Sequence, residues 1–127
     1  MTIDRSPRAT RIAITHETLR RLALSDDHLL DEILGSHGDP TRLDCLDART
    51  TALVRLAALV AMCGSATSFA AVASRALISG ATVDDLVDTL LVIAPIVGSA
   101  NVVGAAPKLA LGVAYDIDRS FEEPDLS

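Results

Sequence analysis

Aromatic side chains are nearly absent from this sequence, which has two phenylalanines, one tyrosine and no tryptophan among 127 residues. Hydrophobic residues nevertheless make up 50% of it, and most of them are alanine, valine and leucine. Such small and medium side chains favour closely packed helices over a thick aromatic core. Because a single domain of this length exposes much of its surface, so much apolar sequence indicates that part of it lies between subunits.

Basic residues are also scarce. The chain has 11 lysines and arginines against 17 aspartates and glutamates, which gives a net charge of -6. An acidic chain repels a phosphate backbone, so we expect no nucleic-acid partner. The arginines between Arg5 and Arg21 lie among acidic residues such as Asp4 and Glu17, and they predict a solvated segment.

The sequence lacks an unbroken apolar segment of membrane-spanning character. Two runs without charge, residues 56–74 and 89–107, reach the length that crosses a bilayer. The first is interrupted at Gly64 and the second at Pro95 and Gly98, so each predicts two soluble elements joined by a break. The start of the chain has no signal-peptide pattern. We therefore expect a cytoplasmic protein without a membrane partner.

Residues that carry thiol or metal chemistry are few. The two cysteines, Cys45 and Cys63, form no CxxC pair, and in a reducing compartment a structural disulfide is not expected. Cys45 falls in a polar segment and should be exposed, whereas Cys63 follows an apolar helix and is expected to be a small buried hydrophobe. The acidic group at residues 84–88 has no histidine at ligand spacing and predicts a solvated helix face. We expect neither a metal nor another cofactor.

No long segment alternates with a period of two, so the pattern predicts an all-α fold, a small helical bundle. Residues 1–14 lack periodicity and predict an N-terminal arm. Residues 116–127 predict an acidic C-terminal tail. Between them we expect a single helical domain over residues 15–115.

Capping residues divide this domain into helices. Thr15 predicts the start of a short first helix, and Ser25 that of a second, which ends at Gly35 before a loop over residues 36–45. The third helix is predicted from the cap Asp47 to about Met62, and the fourth from Ala66 to Ser79, with Gly80 ending it in the left-handed conformation. The fifth begins at a Thr82–Asp85 capping box, and Pro95 should kink or end it. The last is predicted from Ser99 to about Ala114. The third helix is apolar on nearly every face and should be buried. Three glycines should allow close helix contacts: Gly98, Gly104 and Gly112.

The order and spacing of these segments carry a resemblance to a known family. "LDARTTALVRLAALVAM" begins with Leu46–Asp47 ahead of a buried helix. A second matching segment is "ASRALISGATVDDLVDTLLVIAPIVG". In it, Ala76 stands four residues before Gly80, an Ala-Thr turn follows, and the next helix starts with the acidic pair Asp84–Asp85. Over residues 46–115 the chain resembles the carboxymuconolactone decarboxylase family, which includes the alkylhydroperoxidase-D-like proteins. The resemblance implies a small all-α bundle that assembles as a homotrimer or hexamer.

The redox branch of that family has a CxxCxxxH motif and a preceding glutamate, which together supply an attacking thiolate, a resolving thiol and a proton relay. Aligned on the alanine before the turn, the cysteines fall on Ser65 and Ser68, the histidine on Val72 and the glutamate on Leu53. All four functional residues are absent, and Cys63 stands two residues before the first expected thiol. The resemblance therefore implies the fold without thiol peroxidase activity, and it leaves the decarboxylase branch without its histidine too.

Two interpretations are open for the polar residues near this position. Ser65 and Ser68 are suited to capping a helix or to lining a ligand pocket, and the two roles are compatible. Arg55 and Arg75 each interrupt an apolar helix. Either arginine would anchor a carboxylate in a pocket, although the more usual role is an ion pair with an aspartate at position 84, 85 or 88.

These observations lead to two functional expectations. The first is a non-redox, oligomeric protein that binds a small organic molecule or serves as a scaffold, with a pocket marked by Leu53, Ser65, Ser68 and Val72. The alternative is a lyase or isomerase that acts on a small carboxylated metabolite held by Arg55 or Arg75. Its proton transfer would fall to one of the N-terminal histidines, His16, His28 and His37. Convergent histidine and arginine side chains in one pocket would favour the enzyme, and a pocket without titratable groups would favour binding.

Overall fold

The computed structural model describes residues 6–35 and 45–122, with the side chains of the second range described as far as residue 114. The chain divides into two compact units, Met1–Asp39 and Pro40–Ser127. Every regular element in the described ranges is an α-helix, which confirms the all-α prediction. Three sets of residues lie outside this description: residues 1–5 of the predicted arm, residues 36–44 of the predicted loop, which include His37, and residues 123–127 of the predicted tail.

In the first unit, helix α1 (Pro7–Ala23) begins well before the predicted start at Thr15. Ser6 caps it by accepting a hydrogen bond from the backbone N–H of Ala9 at 3.2 Å, and Pro7 takes the first helical position, where no N–H is needed. The helix start predicted at Thr15 is therefore wrong, and residues 7–14 are helical. A cap followed by proline starts the helix there without an apolar stripe, and α1 has no buried side chain.

Helix α2 (Asp27–Gly35) ends at the predicted glycine, but Asp26 caps it rather than Ser25. Oδ1 of Asp26 accepts a hydrogen bond from the backbone N–H of Leu29 at 3.1 Å. Its Oδ2 accepts one from Nε of Arg21 at 3.0 Å. The hydrogen bond from Arg21, and then that from Leu29, lower the pKa of Asp26 to about 2. Ser25 lies in the preceding turn with a φ of 55°, which is not the extended conformation of an N-cap.

The described part of the second unit contains four helices: α3 (Ala48–Ala61), α4 (Ala66–Ile78), α5 (Val83–Val97) and α6 (Ser99–Glu122). The first three start at the caps that the sequence predicts: Asp47, Ser65 and the Thr82–Asp85 capping box. Gly80 ends α4 with a φ of 97°, as predicted. Helix α6 continues beyond the predicted end at Ala114, so that residues 116–122 are helical rather than part of a tail.

All four helices of this unit contribute to one core. The largest fully buried side chains are Phe69, Leu56, Leu86 and Val60. Each such side chain contributes about 1.5–3 kcal/mol relative to leaving it in water. The prediction that α3 is buried on nearly every face is wrong within the unit, because Val54 on its other face remains 53% exposed.

Only one of the three predicted glycine contacts is found. A Cβ on Gly112 would lie 3.1 Å from Cα of Ala70, so α6 approaches the backbone of α4 at this point. Gly98 and Gly104 face open space among the described residues. Gly98 instead ends α5 with a φ of 89°, three residues after Pro95, which lies inside the helix and does not end it as predicted.

The two charge-free runs are each divided between helices, as predicted. Residues 62–65 separate α3 from α4, and Gly98 separates α5 from α6. None of the helices in the described part of the chain combines the length and the apolar character that crossing a bilayer requires.

Candidate functional site

The serines at the positions of the two missing thiols form the start of α4. Ser65 has the extended backbone of an N-cap, and its Oγ accepts the backbone N–H of Ser68 at 3.1 Å. The Ser65 hydroxyl also donates to Oγ of Ser68 at 3.0 Å. The capping interpretation is therefore observed, and these hydrogen bonds stay within one helical turn.

The positions of the missing glutamate and histidine, Leu53 and Val72, are apolar packing residues at the edge of the core. Leu53 also lines a groove of about 320 Å³ between α3 and α5, together with Thr89 and Ile93. Ser65, Ser68 and Val72 do not line this groove. The groove therefore does not reproduce the pocket that the resemblance implies.

A polar cluster, Cys63, Asn101 and Lys108, surrounds the turn between α3 and α4. Cys63 Sγ donates to Oδ1 of Asn101 at 3.3 Å. Lys108 Nζ donates to the carbonyl oxygen of Gly64 at 2.9 Å and lies 6.0 Å from the ring centroid of Phe69. These contacts tie α6 to the turn. They supply no base that would activate the thiol.

Cys63 is exposed, so its predicted burial is wrong. Helix α3 ends at Ala61, and Cys63 follows in a left-handed turn with a φ of 55°, which takes it off the apolar face of the helix. Cys45 is exposed, as predicted. Asn101 and Lys108 were not expected from the sequence, since their partners lie in a distant turn.

An apolar cleft of about 550 Å³ lies between α5 and α6. Its walls include Val87, Leu90 and Leu91 from α5, and Ala106, Ala110 and Val113 from α6. Every described side chain that lines the cleft is apolar, and none of these is titratable. A cleft of this volume and character is typical of sites for small organic ligands.

Arg55 and Arg75, the two predicted ligand anchors, line one small recess of about 30 Å³ between α3 and α4, together with Thr51 and Ser79. Oγ1 of Thr51 is buried and has no hydrogen-bond partner. On its other side Arg75 borders an open cleft of about 430 Å³, which Ser79 and Ile78 also line. The structure thus brings both arginines to the same place, although they are far apart in sequence.

The aspartate ion pair expected for Arg75 is not found among the described residues, and Asp85 is held by another residue. Nη2 of Arg49 lies 2.7 Å from Oδ1 of Asp85, and no acidic side chain among the described residues pairs with Arg75. The hydrogen bond from Arg49, followed by that from the backbone N–H of Thr82, lowers the pKa of Asp85. Arg49 had no local sequence signal that marked it as the partner.

His16 lies in α1 and His28 in α2 of the first unit. Within the second unit, the described residues that line the apolar cleft and the arginine recess include no histidine. Comparison of the chain with known protein families, curated proteins and solved structures gives no match.

Proposed function

We propose that this protein is a non-catalytic, oligomeric relative of the carboxymuconolactone decarboxylase family that binds an apolar small molecule between α5 and α6 in the cytoplasm. The observation that carries the proposal is the cleft of about 550 Å³, whose described lining consists of apolar side chains. General acid–base or nucleophilic catalysis needs a titratable group within hydrogen-bond reach of the substrate. A cleft without such a group is suited to binding by apolar contact and to exclusion of water.

Support for assembly comes from apolar side chains that the second unit leaves exposed. Those on α5 and α6 with exposures between 63 and 85% are Leu91, Val92, Ile96, Val103 and Leu111. A concentration of exposed apolar residues on neighbouring helices is typical of a subunit contact. Repeating one such contact closes a symmetric homo-oligomer, and the resemblance favours a trimer or a multiple of it.

The alternative is a lyase or isomerase that acts on a carboxylated metabolite. One observation favours it: Arg55 and Arg75 line the same recess, and two guanidinium groups suit a carboxylate. The described lining of that recess contains no histidine, aspartate or glutamate to move a proton. We therefore rank this alternative second.

Binding of N-phenyl-1-naphthylamine, a neutral apolar fluorophore, to the full chain tests the proposal. We expect saturable binding to the unmodified protein and a loss of about tenfold or more in affinity for Ala110→Phe, whose ring would occupy the cleft. Ala100→Phe is the matched control, since Ala100 is exposed on the same helix and does not line the cleft. Circular dichroism melting confirms that both variants are folded.

Two results would overturn the proposal. One is the absence of saturable binding, and the other is equal affinity in the Ala110→Phe and Ala100→Phe variants. Light scattering on the same samples separates a ligand cleft from a subunit contact. If the probe does not bind and Ala110→Phe lowers the oligomer mass, the cleft is an interface between copies.

A further inference from the structure

We infer that the recess between α3 and α4 is an oxyanion site that holds the carboxylate or phosphate group of a small organic ligand. This site is distinct from the apolar cleft of the proposed function, because the two share no lining residue. The inference rests on the charge of the recess, on an unpartnered buried hydroxyl and on the shape of the space beside it.

Two arginines line the recess, Arg55 from α3 and Arg75 from α4, and the other described lining residues include no acid. Asp85, one of the aspartates expected to pair with Arg75, is engaged by Arg49 at 2.7 Å. No acidic side chain among the described residues pairs with Arg75. A guanidinium group offers a planar set of N–H donors that matches a carboxylate or a phosphate.

Arg75 is not required to complete the end of α4, where basic side chains often bond the last carbonyl groups. The carbonyl oxygen of Ala76 accepts the N–H of Ala81 at 3.0 Å, and that of Leu77 accepts the N–H of Gly80 at 3.2 Å. These backbone bonds of the turn at Gly80 satisfy two of the last carbonyl groups of α4 without Arg75. With no acidic partner among the described residues, the guanidinium of Arg75 is available to a ligand.

The hydroxyl of Thr51 gives an independent indication. Thr51 is only 6% exposed, it lines the recess, and its Oγ1 has no hydrogen-bond partner. Buried hydroxyl groups in folded proteins nearly always have a partner. An oxygen atom of an anion seated between the two arginines would accept the Thr51 hydrogen bond.

The shape of the space indicates what kind of anion fits. A volume of about 30 Å³ corresponds to roughly one water-sized group, so only part of the anion enters the recess. Arg75 and Ser79 also border the adjoining cleft of about 430 Å³, whose other walls are Ala71, Ser74 and Ile78. The remainder of the ligand would lie there, against a surface that is partly apolar. This arrangement favours an organic acid or a phosphate ester over a free inorganic ion.

Isothermal titration calorimetry of the full chain at fixed ionic strength tests the inference with four probes: benzoate, phenyl phosphate, inorganic phosphate and the neutral benzyl alcohol. We expect benzoate or phenyl phosphate to bind, inorganic phosphate to bind more weakly and benzyl alcohol not to bind. Arg75→Gln and Thr51→Val should each weaken binding of the preferred anion by about tenfold or more, since each removes a hydrogen bond to a charged group. Lys108→Gln makes the same change of charge on α6, at a residue that lines neither the recess nor the adjoining cleft, and it should leave the affinity unchanged.

The relative affinity of benzoate and phenyl phosphate tells which oxyanion the site prefers. The proposed site would be refuted if neither benzoate nor phenyl phosphate bound. It would also be refuted if Arg75→Gln bound the preferred anion with the same affinity as the unmodified protein. Binding of inorganic phosphate as tight as that of phenyl phosphate would overturn the assignment of an organic ligand. Equal weakening by Lys108→Gln and Arg75→Gln would show a general effect of charge and would also refute the proposed site. The N-phenyl-1-naphthylamine assay is independent of these outcomes, because its cleft contains none of the substituted residues.

Discussion

Arg49 in the first turn of α3 and Asp85 in the first turn of α5 form a bidentate ion pair. The distances are 2.7 Å from Nη2 to Oδ1 and 3.2 Å from Nε to Oδ2. The Asp85 carboxylate also accepts the backbone N–H of Thr82 at 2.8 Å. In return, the Thr82 hydroxyl accepts the backbone N–H of Asp85 at 3.1 Å. One aspartate therefore closes the capping box of α5 and ties that helix to α3.

The first prediction concerns the pH dependence of stability at Asp85. Because its pKa is lowered in the folded protein, the stabilisation is complete above the ordinary aspartate pKa of about 4 and is lost as the pH falls through the lowered value. We expect Asp85→Asn to lower the free energy of unfolding at pH 7 and to have a smaller effect at pH 2, as measured by urea titration. Asp84→Asn, an exposed change in the same turn, should have little effect at pH 7. An Asp85→Asn effect that is the same at both pH values would contradict this account.

The starts of α3, α4 and α5 could be predicted because their signals are local. Asp47, Ser65 and Thr82 each cap the helix that follows them, and Gly80 takes the left-handed conformation that few other residues adopt. Helix α1 was missed over its first residues because it has no apolar stripe. Its only start signal is the Ser6–Pro7 pair.

The sites could not be predicted to the same extent, because they depend on how the helices pack. Arg49 and Asp85 are 36 positions apart, and their pairing requires α3 to lie against α5. The same holds for the convergence of Arg55 and Arg75 on one recess. The exposure of Cys63 depends on which residue ends α3, and a shift of one or two positions moves a side chain to another face of the helix.

The second prediction concerns two adjacent threonines of α3. Thr51→Val should raise the free energy of unfolding of the ligand-free protein by about 1 kcal/mol, because it replaces an unpartnered buried hydroxyl by a methyl group of similar size. Thr50→Val should lower it, since the Thr50 hydroxyl is hydrogen-bonded to Asp47. Chemical denaturation of both variants measures the two effects. A destabilised Thr51→Val protein would show that its hydroxyl has a partner.

The third prediction compares two glycines of α6. Gly104 faces open space among the described residues, so Gly104→Ala should raise the free energy of unfolding by up to about 1 kcal/mol through helix propensity. At Gly112 a Cβ would meet the Cα of Ala70 at 3.1 Å, and the helices would have to move apart. We expect Gly112→Ala to be less stable than Gly104→Ala by about 1 kcal/mol or more. Thermal melts of the two proteins, at a concentration that gives the same oligomer mass, provide the comparison. Equal melting temperatures would refute the close approach of α6 to α4.

The fourth prediction concerns peroxide chemistry. A single thiol near the start of α4 cannot both attack a peroxide and resolve the product within its own chain, because its neighbours at the motif positions are Ser65 and Ser68. Cys63→Ser should therefore leave ligand binding unchanged, and neither protein should reduce peroxide in a coupled assay. A peroxidase activity that disappears in Cys63→Ser would contradict this prediction. Since Cys63 and Cys45 are both exposed, non-reducing gels after peroxide treatment show whether pairing between subunits supplies a resolving thiol instead.

The fifth prediction concerns assembly. The apolar side chains left open on α5 and α6 include Ile96 at 85% exposure and Val103 at 70%, and burying them between copies would stabilise a closed oligomer. We expect light scattering across a dilution series to give a trimer or a multiple of it. Ile96→Asp should shift the mass toward the monomer, because a carboxylate in an apolar contact is costly to desolvate. Asp88→Asn, a change on the exposed acidic part of α5, should leave the mass unchanged. A chain that remains monomeric at micromolar concentration would contradict the burial argument, and the apolar residues of α5 and α6 would then have to be covered by a different partner.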